Sequence, residues 1–298
     1  MLAFLKRQAN KSTLIKRAYR WARWKWHVLT DNWGALVWTR TRETTTPLGF
    51  KLNAGLHPAY EQMRNGTFEP KETALLAQLL QRTDRFIDVG ANLGYYTCLA
   101  LQSGRGVMAI EPQPHNLRSL YQNLISNGWE HKAEVMPVAL AAAPGLLTLY
   151  GASGPSASLL KDWAGYSSRH SQIVAVSTLD YLLAGRFDGE RLLVKIDVEG
   201  AELGVLQGAV HTMRRHLRPV WLLEVCLHEF HPHGFNPDFL QVFQLFWDSG
   251  YEAYTTEATP SRVPRERVEA WWQARRTDSG RFNYIFATPE AVAGLTAP

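Results

Sequence analysis

One nine-residue stretch constrains this chain more than any other: Phe86-Ile87-Asp88-Val89-Gly90-Ala91-Asn92-Leu93-Gly94. An apolar run ends in an acid, passes through glycines and leads into a helix-forming segment. Glycine tolerates positive φ and lets backbone come close to another group, so the stretch reads as strand, tight turn and helix start. A second apolar run, Val107-Met108-Ala109-Ile110, ends in Glu111, 21 residues beyond Gly90. That spacing matches the first half of a nucleoside-binding βαβ unit, where the acid ending the second strand accepts hydrogen bonds from ribose hydroxyls.

The details separate one nucleoside ligand from another. A dinucleotide site uses G-x-G-x-x-G, so that pyrophosphate can rest on bare backbone at a helix N-terminus. Here Asn92 stands at the second glycine position, and Asp88 brings a negative charge to the same turn. Both features disfavour an NAD-dependent oxidoreductase. A ribose-bearing ligand with an ammonium group fits better, and S-adenosylmethionine (SAM) has both features. Asp88, Gly90, Asn92, Gly94 and Glu111 are the expected cofactor-binding residues.

Beyond this unit the chain alternates. Strands are expected at Arg85–Val89, Val107–Glu111, Glu134–Leu140, Leu146–Tyr150, Ile173–Ser177, Leu192–Ile196, Val220–Val225 and Asn283–Ala287. Helices are expected at Glu72–Leu80, Gly94–Gln102, Pro114–Asn127, Ala201–Val210 and Pro237–Trp247. Alternating strands and helices imply a doubly wound α/β sheet. Its ligands bind beyond the carboxyl ends of the strands. The Gly/Ser-rich stretch Gly151–Ser158 reads as a mobile loop. The expected organisation is a helical arm over 1–40, an entry segment over 41–83 punctuated by Gly and Pro, and a cofactor domain over 84–290.

Charge is distributed unevenly. Met1 to Trp33 holds Lys6, Arg7, Lys11, Lys16, Arg17, Arg20, Arg23 and Lys25 against Asp31, while the remaining chain carries 24 basic and 26 acidic residues. The body of the protein is therefore near neutral, and no broad nucleic-acid-binding face is expected. The arm also holds Trp21, Trp24, Trp26, Trp33 and Trp38. Two readings of it stay open. It is an interfacial helix with Trp among lipid headgroups and Lys/Arg on anionic lipid, or a helix packed on the domain or on a partner. No apolar run approaches the roughly 18 residues of a membrane span, and no signal-peptide pattern is visible. Cys98 and Cys226 fall in apolar segments and read as reduced packing residues. A cytoplasmic protein is expected, with peripheral membrane contact through residues 1–40 as an option.

The second chemical constellation is Lys195-Ile196-Asp197-Val198-Glu199-Gly200-Ala201-Glu202, where the strand over 192–196 ends. Lys195 and Asp197 share one strand face because side chains alternate, so they can pair as ions. Asp197 is the expected catalytic residue, with Lys195 beside it. Glu199 and Glu202 read as helix-capping acids. A third cluster, Glu224-Val225-Cys226-Leu227-His228-Glu229-Phe230-His231-Pro232-His233, resembles a metal site in composition but lacks metal-motif spacing. No metal is assigned. It reads as a substrate-facing loop, with Glu224 at a strand end and His228 as a second candidate proton acceptor.

Taken together, Phe86 to Thr97, Ile110-Glu111-Pro112, Val176-Ser177-Thr178-Leu179-Asp180 and Val194 to Glu202 resemble the FkbM-type SAM-dependent methyltransferases. The resemblance covers about residues 84–255 and leaves the arm unexplained. It implies a class I methyltransferase Rossmann-like sheet, seven strands and mostly parallel, with helices on both faces. It also implies SAM as methyl donor and a hydroxyl acceptor on a sugar, a glycan or a secondary metabolite. Two other readings compete with a methyltransferase. One is a non-catalytic module of the same fold that docks on membrane or recruits a glycosyltransferase; the other is the oxidoreductase disfavoured above.

Overall fold

The computed structural model describes residues 41–296 except 56, 152–156, 166–170, 258 and 279–281. The basic, tryptophan-rich arm therefore lies outside the described residues, as does most of the Gly151–Ser158 stretch. The chain runs β1 (Arg42–Thr45), β2 (Lys51–Ala54), α1 (Pro58–Arg64), α2 (Pro70–Leu80), β3 (Arg85–Val89), α3 (Tyr95–Gln102), β4 (Gly106–Ile110) and α4 (Pro114–Ser126). It continues through β5 (Ala133–Met136), β6 (Ala139–Leu140), β7 (Gly145–Tyr150), β8 (Ser171–Ser177), α5 (Leu179–Leu183), β9 (Leu192–Ile196), α6 (Glu202–Gln207) and α7 (Val210–Met213). Last come β10 (Val220–Glu224), α8 (Phe239–Asp248), β11 (Glu252–Thr255), β12 (Arg262–Val263), α9 (Arg265–Ala274), β13 (Asn283–Ala287) and α10 (Pro289–Thr296).

The central sheet has the order β12-β11-β13-β10-β9-β3-β4-β5. The run β10-β9-β3-β4-β5 is parallel, whereas β13 is antiparallel to both β10 and β11. This is the class I methyltransferase sheet, extended by the two-residue β12 to eight strands rather than the expected seven. The strand order reverses between β3 and β9, and a crevice opens there at the carboxyl ends.

Alternation along the strands sorts the core into two layers. Phe86, Val107, Ala109, Leu193 and Leu222 face one side with Leu76 and Leu80 of α2, Ala100 of α3 and Leu120 and Leu124 of α4. Ile87, Val89, Met108, Ile110, Val194 and Ile196 face the other side with Val205, Leu206, Phe243 and Phe246 from α6 and α8. Phe50, Leu52 and Tyr60 of the entry segment join the first layer. Asp88 and Lys195 have the same parity as Phe86 and Leu193. Their side chains therefore stand on the α2–α3 side, which decides what surrounds them.

Two expected elements are split. The strand expected over 134–140 breaks at Pro137, which has no N–H for a ladder. Ala133–Met136 pairs with β4, while Ala139–Leu140 joins a separate three-stranded sheet, β6-β8-β7. The helix expected over 201–210 becomes α6 and α7. The Asp180 carboxylate accepts the N–H groups of His211 (2.9 Å) and Thr212 (2.7 Å), so a new helix starts there. Among the described residues, no helix is long and apolar enough to cross a membrane.

Candidate active site

The glycine turn is closed on itself. Gly90 and Ala91 donate to the Ile110 carbonyl (2.9 and 3.1 Å), and Gly94 donates to the Ala91 carbonyl (2.8 Å). Asn92 N–H donates to Glu111 Oε2 (2.8 Å), and Leu93 N–H to the Asn92 side-chain oxygen (2.8 Å). All five amides from 90 to 94 thus have acceptors within the protein, and the turn offers no free N–H cradle for a pyrophosphate. Asn92 adopts left-handed φ (52°), a conformation its side chain tolerates better than most. Gly90 has φ 84°, and a Cβ there would sit 1.9 Å from the Asp197 carbonyl oxygen. The first turn and the turn after β9 are therefore in backbone contact, and only glycine allows it.

A cavity of about 500 Å³ spans this seam. Asp88, Gly90, Asn92 and Glu111 line it together with Lys195 and Asp197. Two expected site residues are not part of the lining. At Gly94 an added Cβ would meet Leu120 Cδ1 at 2.4 Å, so this glycine serves the packing of the turn against α4. His228 lies in the loop after β10, with Nδ1 2.8 Å from the Gly234 carbonyl oxygen. In the same loop His231 packs edge-on against Trp163, and burial first, then His228, lowers its imidazole to about 4. The histidine cluster thus organises a loop. Among the described residues, no three His, Cys, Asp or Glu side chains are grouped to hold a metal ion. Cys98 and Cys226 are free and buried.

Inside the cavity the charges are mutually arranged. Lys195 Nζ donates to Asp197 Oδ2 at 2.7 Å. Burial disfavours the Lys195 ammonium, but Asp197, Asp88 and Glu69 outweigh it and hold its pKa above the ordinary lysine range. The Asp197 side chain stays 28% exposed, so it is open to a substrate while its partner is sealed. Asp88 is buried and accepts the Thr97 hydroxyl at 2.6 Å. Burial raises its carboxyl, against the pull of Lys195. Glu111 accepts Gln113 N–H (2.8 Å) on its other oxygen, and burial pushes it up to about 7 despite both backbone donors.

Further carboxylates line the cavity, and of these Glu69 had no sequence signal. Glu69, which caps α2 from the N-terminal side, accepts the Tyr96 hydroxyl at 2.6 Å. Glu224 ends β10 beside Asp197, and burial followed by Asp197 and Glu199 holds its carboxyl well above the usual range. Glu199 was expected to cap a helix. Instead it accepts Trp163 Nε1–H at 2.7 Å and faces the cavity. Glu202 does act locally, accepting the Gly200 N–H at 2.8 Å.

The family model described as Methyltransferase FkbM domain matches residues 88–253, more than half of the chain. No curated protein matches. Solved structures with a similar arrangement include an FkbM methyltransferase from Methylobacillus flagellatus KT (15% identity, TM-score 0.41, covering 69% of this chain); this chain spans 43% of its length. Another is a precorrin-6y C5,15-methyltransferase from Geobacter metallireducens GS-15 (14% identity, TM-score 0.36, 62% of this chain and 72% of that one). A third is an O-methyltransferase from Bacillus cereus in complex with SAH (12% identity, TM-score 0.39, 76% of this chain and 84% of that one). On the family match, this chain is a methyltransferase of the FkbM family.

Proposed function

We propose that the protein transfers a methyl group from SAM to a hydroxyl oxygen of a sugar, glycan or hydroxylated secondary metabolite. The observation that carries this reading is the shared cavity, in which the nucleoside-type residues Asp88, Gly90, Asn92 and Glu111 face the Lys195–Asp197 pair. The residues fit the cofactor on three counts. The cavity volume is of the right order for such a ligand, the turn withholds its amides from phosphate, and the lining carboxylates suit a cationic nucleoside. When bound, SAM supplies an electrophilic methyl on a positively charged sulfur.

The protein's own contribution is positioning and proton removal. Glu111, anchored by two backbone amides, presents its carboxyl to ribose hydroxyls. Asp197 has one oxygen fixed by Lys195, which leaves the other to take the acceptor's proton. Holding acceptor and donor in line accounts for much of such a rate, and a positioned base adds roughly 10²–10⁴-fold. Asp197→Ala should therefore abolish methyl transfer to a panel of neutral glycosides and hydroxylated metabolites, followed with labelled SAM, while SAM affinity by calorimetry stays within about twofold. Equal loss of both would make Asp197 a cofactor or structural residue. The reading extends to a peripheral role at the inner face of the membrane, with residues 1–40 as the contact and a glycosyltransferase as partner. Co-sedimentation of the full chain, but not of a chain lacking residues 1–40, with anionic vesicles tests the membrane part.

A further inference from the structure

Glu69 lies outside the segment that matches the family, yet it reaches the same cavity. Its backbone is left-handed (φ 39°, ψ 60°) without being glycine or asparagine. Pro70 follows and disfavours the right-handed helical region for residue 69. A left-handed conformation is unfavourable for a non-glycine residue, and such strain persists where surrounding structure enforces it, often at functional sites. Here the enforced conformation delivers a carboxylate onto the seam between β3 and β9. Tyr96, in the first turn of α3, donates to one oxygen of Glu69 (2.6 Å), and Lys195 Nζ lies 4.9 Å from the centre of the same tyrosine ring. Among the described hydrogen bonds the second Glu69 oxygen has none.

The other lining carboxylates have partners of their own. Asp88 holds Thr97, Asp197 holds Lys195, Glu111 holds two backbone amides and Glu199 holds Trp163. Glu224 ends β10, two strands beyond β3 in the sheet order. Glu111 follows β4, across β3 from the β3–β9 seam, so a cofactor with its ribose at Glu111 would extend its amino-acid end over the glycine turn toward that seam and Glu69. That end carries a protonated amine. Burial raises the Glu69 carboxyl, Lys195 opposes this and Asp197 adds to it, so a cation at this place would relieve a real desolvation cost.

We propose that Glu69, oriented by Tyr96, binds the ammonium group of the cofactor's amino-acid moiety. The assignment rests on the SAM reading above, and three related ligands separate the two. SAM and S-adenosylhomocysteine both carry the ammonium, only SAM carries the sulfonium, and 5′-methylthioadenosine carries neither. Calorimetric titration of wild-type protein and Glu69→Gln, which keeps an acceptor for Tyr96, should show SAM and S-adenosylhomocysteine weakened about ten- to a hundredfold. Methylthioadenosine should bind both proteins equally. Loss for SAM alone would place Glu69 at the sulfonium instead and overturn the assignment, as would no loss at all. Equal loss for all three ligands would make Glu69 a structural cap, also against the proposal. Failure of the wild-type protein to bind any of the three would remove the SAM reading itself.

Discussion

Gly90→Ala tests how tightly the two halves of the site are coupled. The substitution has two separable costs. The first is conformational, since φ is 84° and a left-handed L-residue costs roughly 1–2 kcal/mol. The second is steric, since the new Cβ would lie 1.9 Å from the Asp197 carbonyl oxygen, where real contacts stay beyond 3.0 Å. Relief requires the turn after β9 to move by about 1 Å, breaking close packing that resists such shifts. Overpacking of this kind costs about 1–3 kcal/mol. Gly104→Ala isolates the first cost, because Gly104 has φ 74° and open space around its Cβ position. Gly104→Ala should lose about 1 kcal/mol, and Gly90→Ala about 2–5 kcal/mol, in denaturant titrations. At about 2–4 °C per kcal/mol, thermal midpoints should fall by a few degrees and by about 5–15 °C respectively. Displacing Asp197 by about 1 Å should also lower methyl transfer by about 10²-fold. Equal losses for the two variants would refute the backbone contact and the coupling built on it.

Other consequences follow from the buried acids. Glu202 is raised to about 7 by burial, against the Gly200 amide, from an ordinary value of 4.5. Between those values the folded protein holds a proton that the unfolded chain has released, so stability falls as pH rises through the window. Glu202→Gln should match wild type near pH 4 and exceed it by up to about 3 kcal/mol at pH 8; parallel stability curves would contradict this. Trp163→Phe removes the donor to Glu199, whose carboxyl burial and Asp197 already raise to about 8. It should cost about 1–3 kcal/mol by denaturant titration, and an unchanged midpoint would mean that the indole bond carries nothing.

What could be read from the residues followed the strength of local pattern. The runs Phe86–Val89 and Leu192–Ile196 face packing on both sides, so apart from Asp88 and Lys195 they are apolar throughout, and they stand where expected. The acids at their ends were visible for the same reason, because a charge that ends a buried strand has few places to go. β11 has only four residues, β12 is a two-residue edge strand, and α9 buries only Val268 and Trp271, so no periodicity stood out in them. The single strand expected over 134–140 ran through Pro137, and only the pairing of Ala139–Leu140 with β8 shows what the break there achieves. Glu69 and Glu199 reach the cavity, and Trp163 reaches Glu199, through tertiary contact, and no spacing along the chain encodes those meetings. His228 carried the opposite lesson: its chemistry suited a base, while its position fixes a loop.

The most direct test of the account is calorimetric titration of the purified full chain with SAM and, separately, with NAD, repeated on Glu111→Ala. Micromolar SAM binding, no NAD response, and SAM affinity lowered in Glu111→Ala are the predicted results. NAD binding without SAM binding, or SAM affinity unchanged when Glu111 is removed, would contradict the cofactor site described for this cavity.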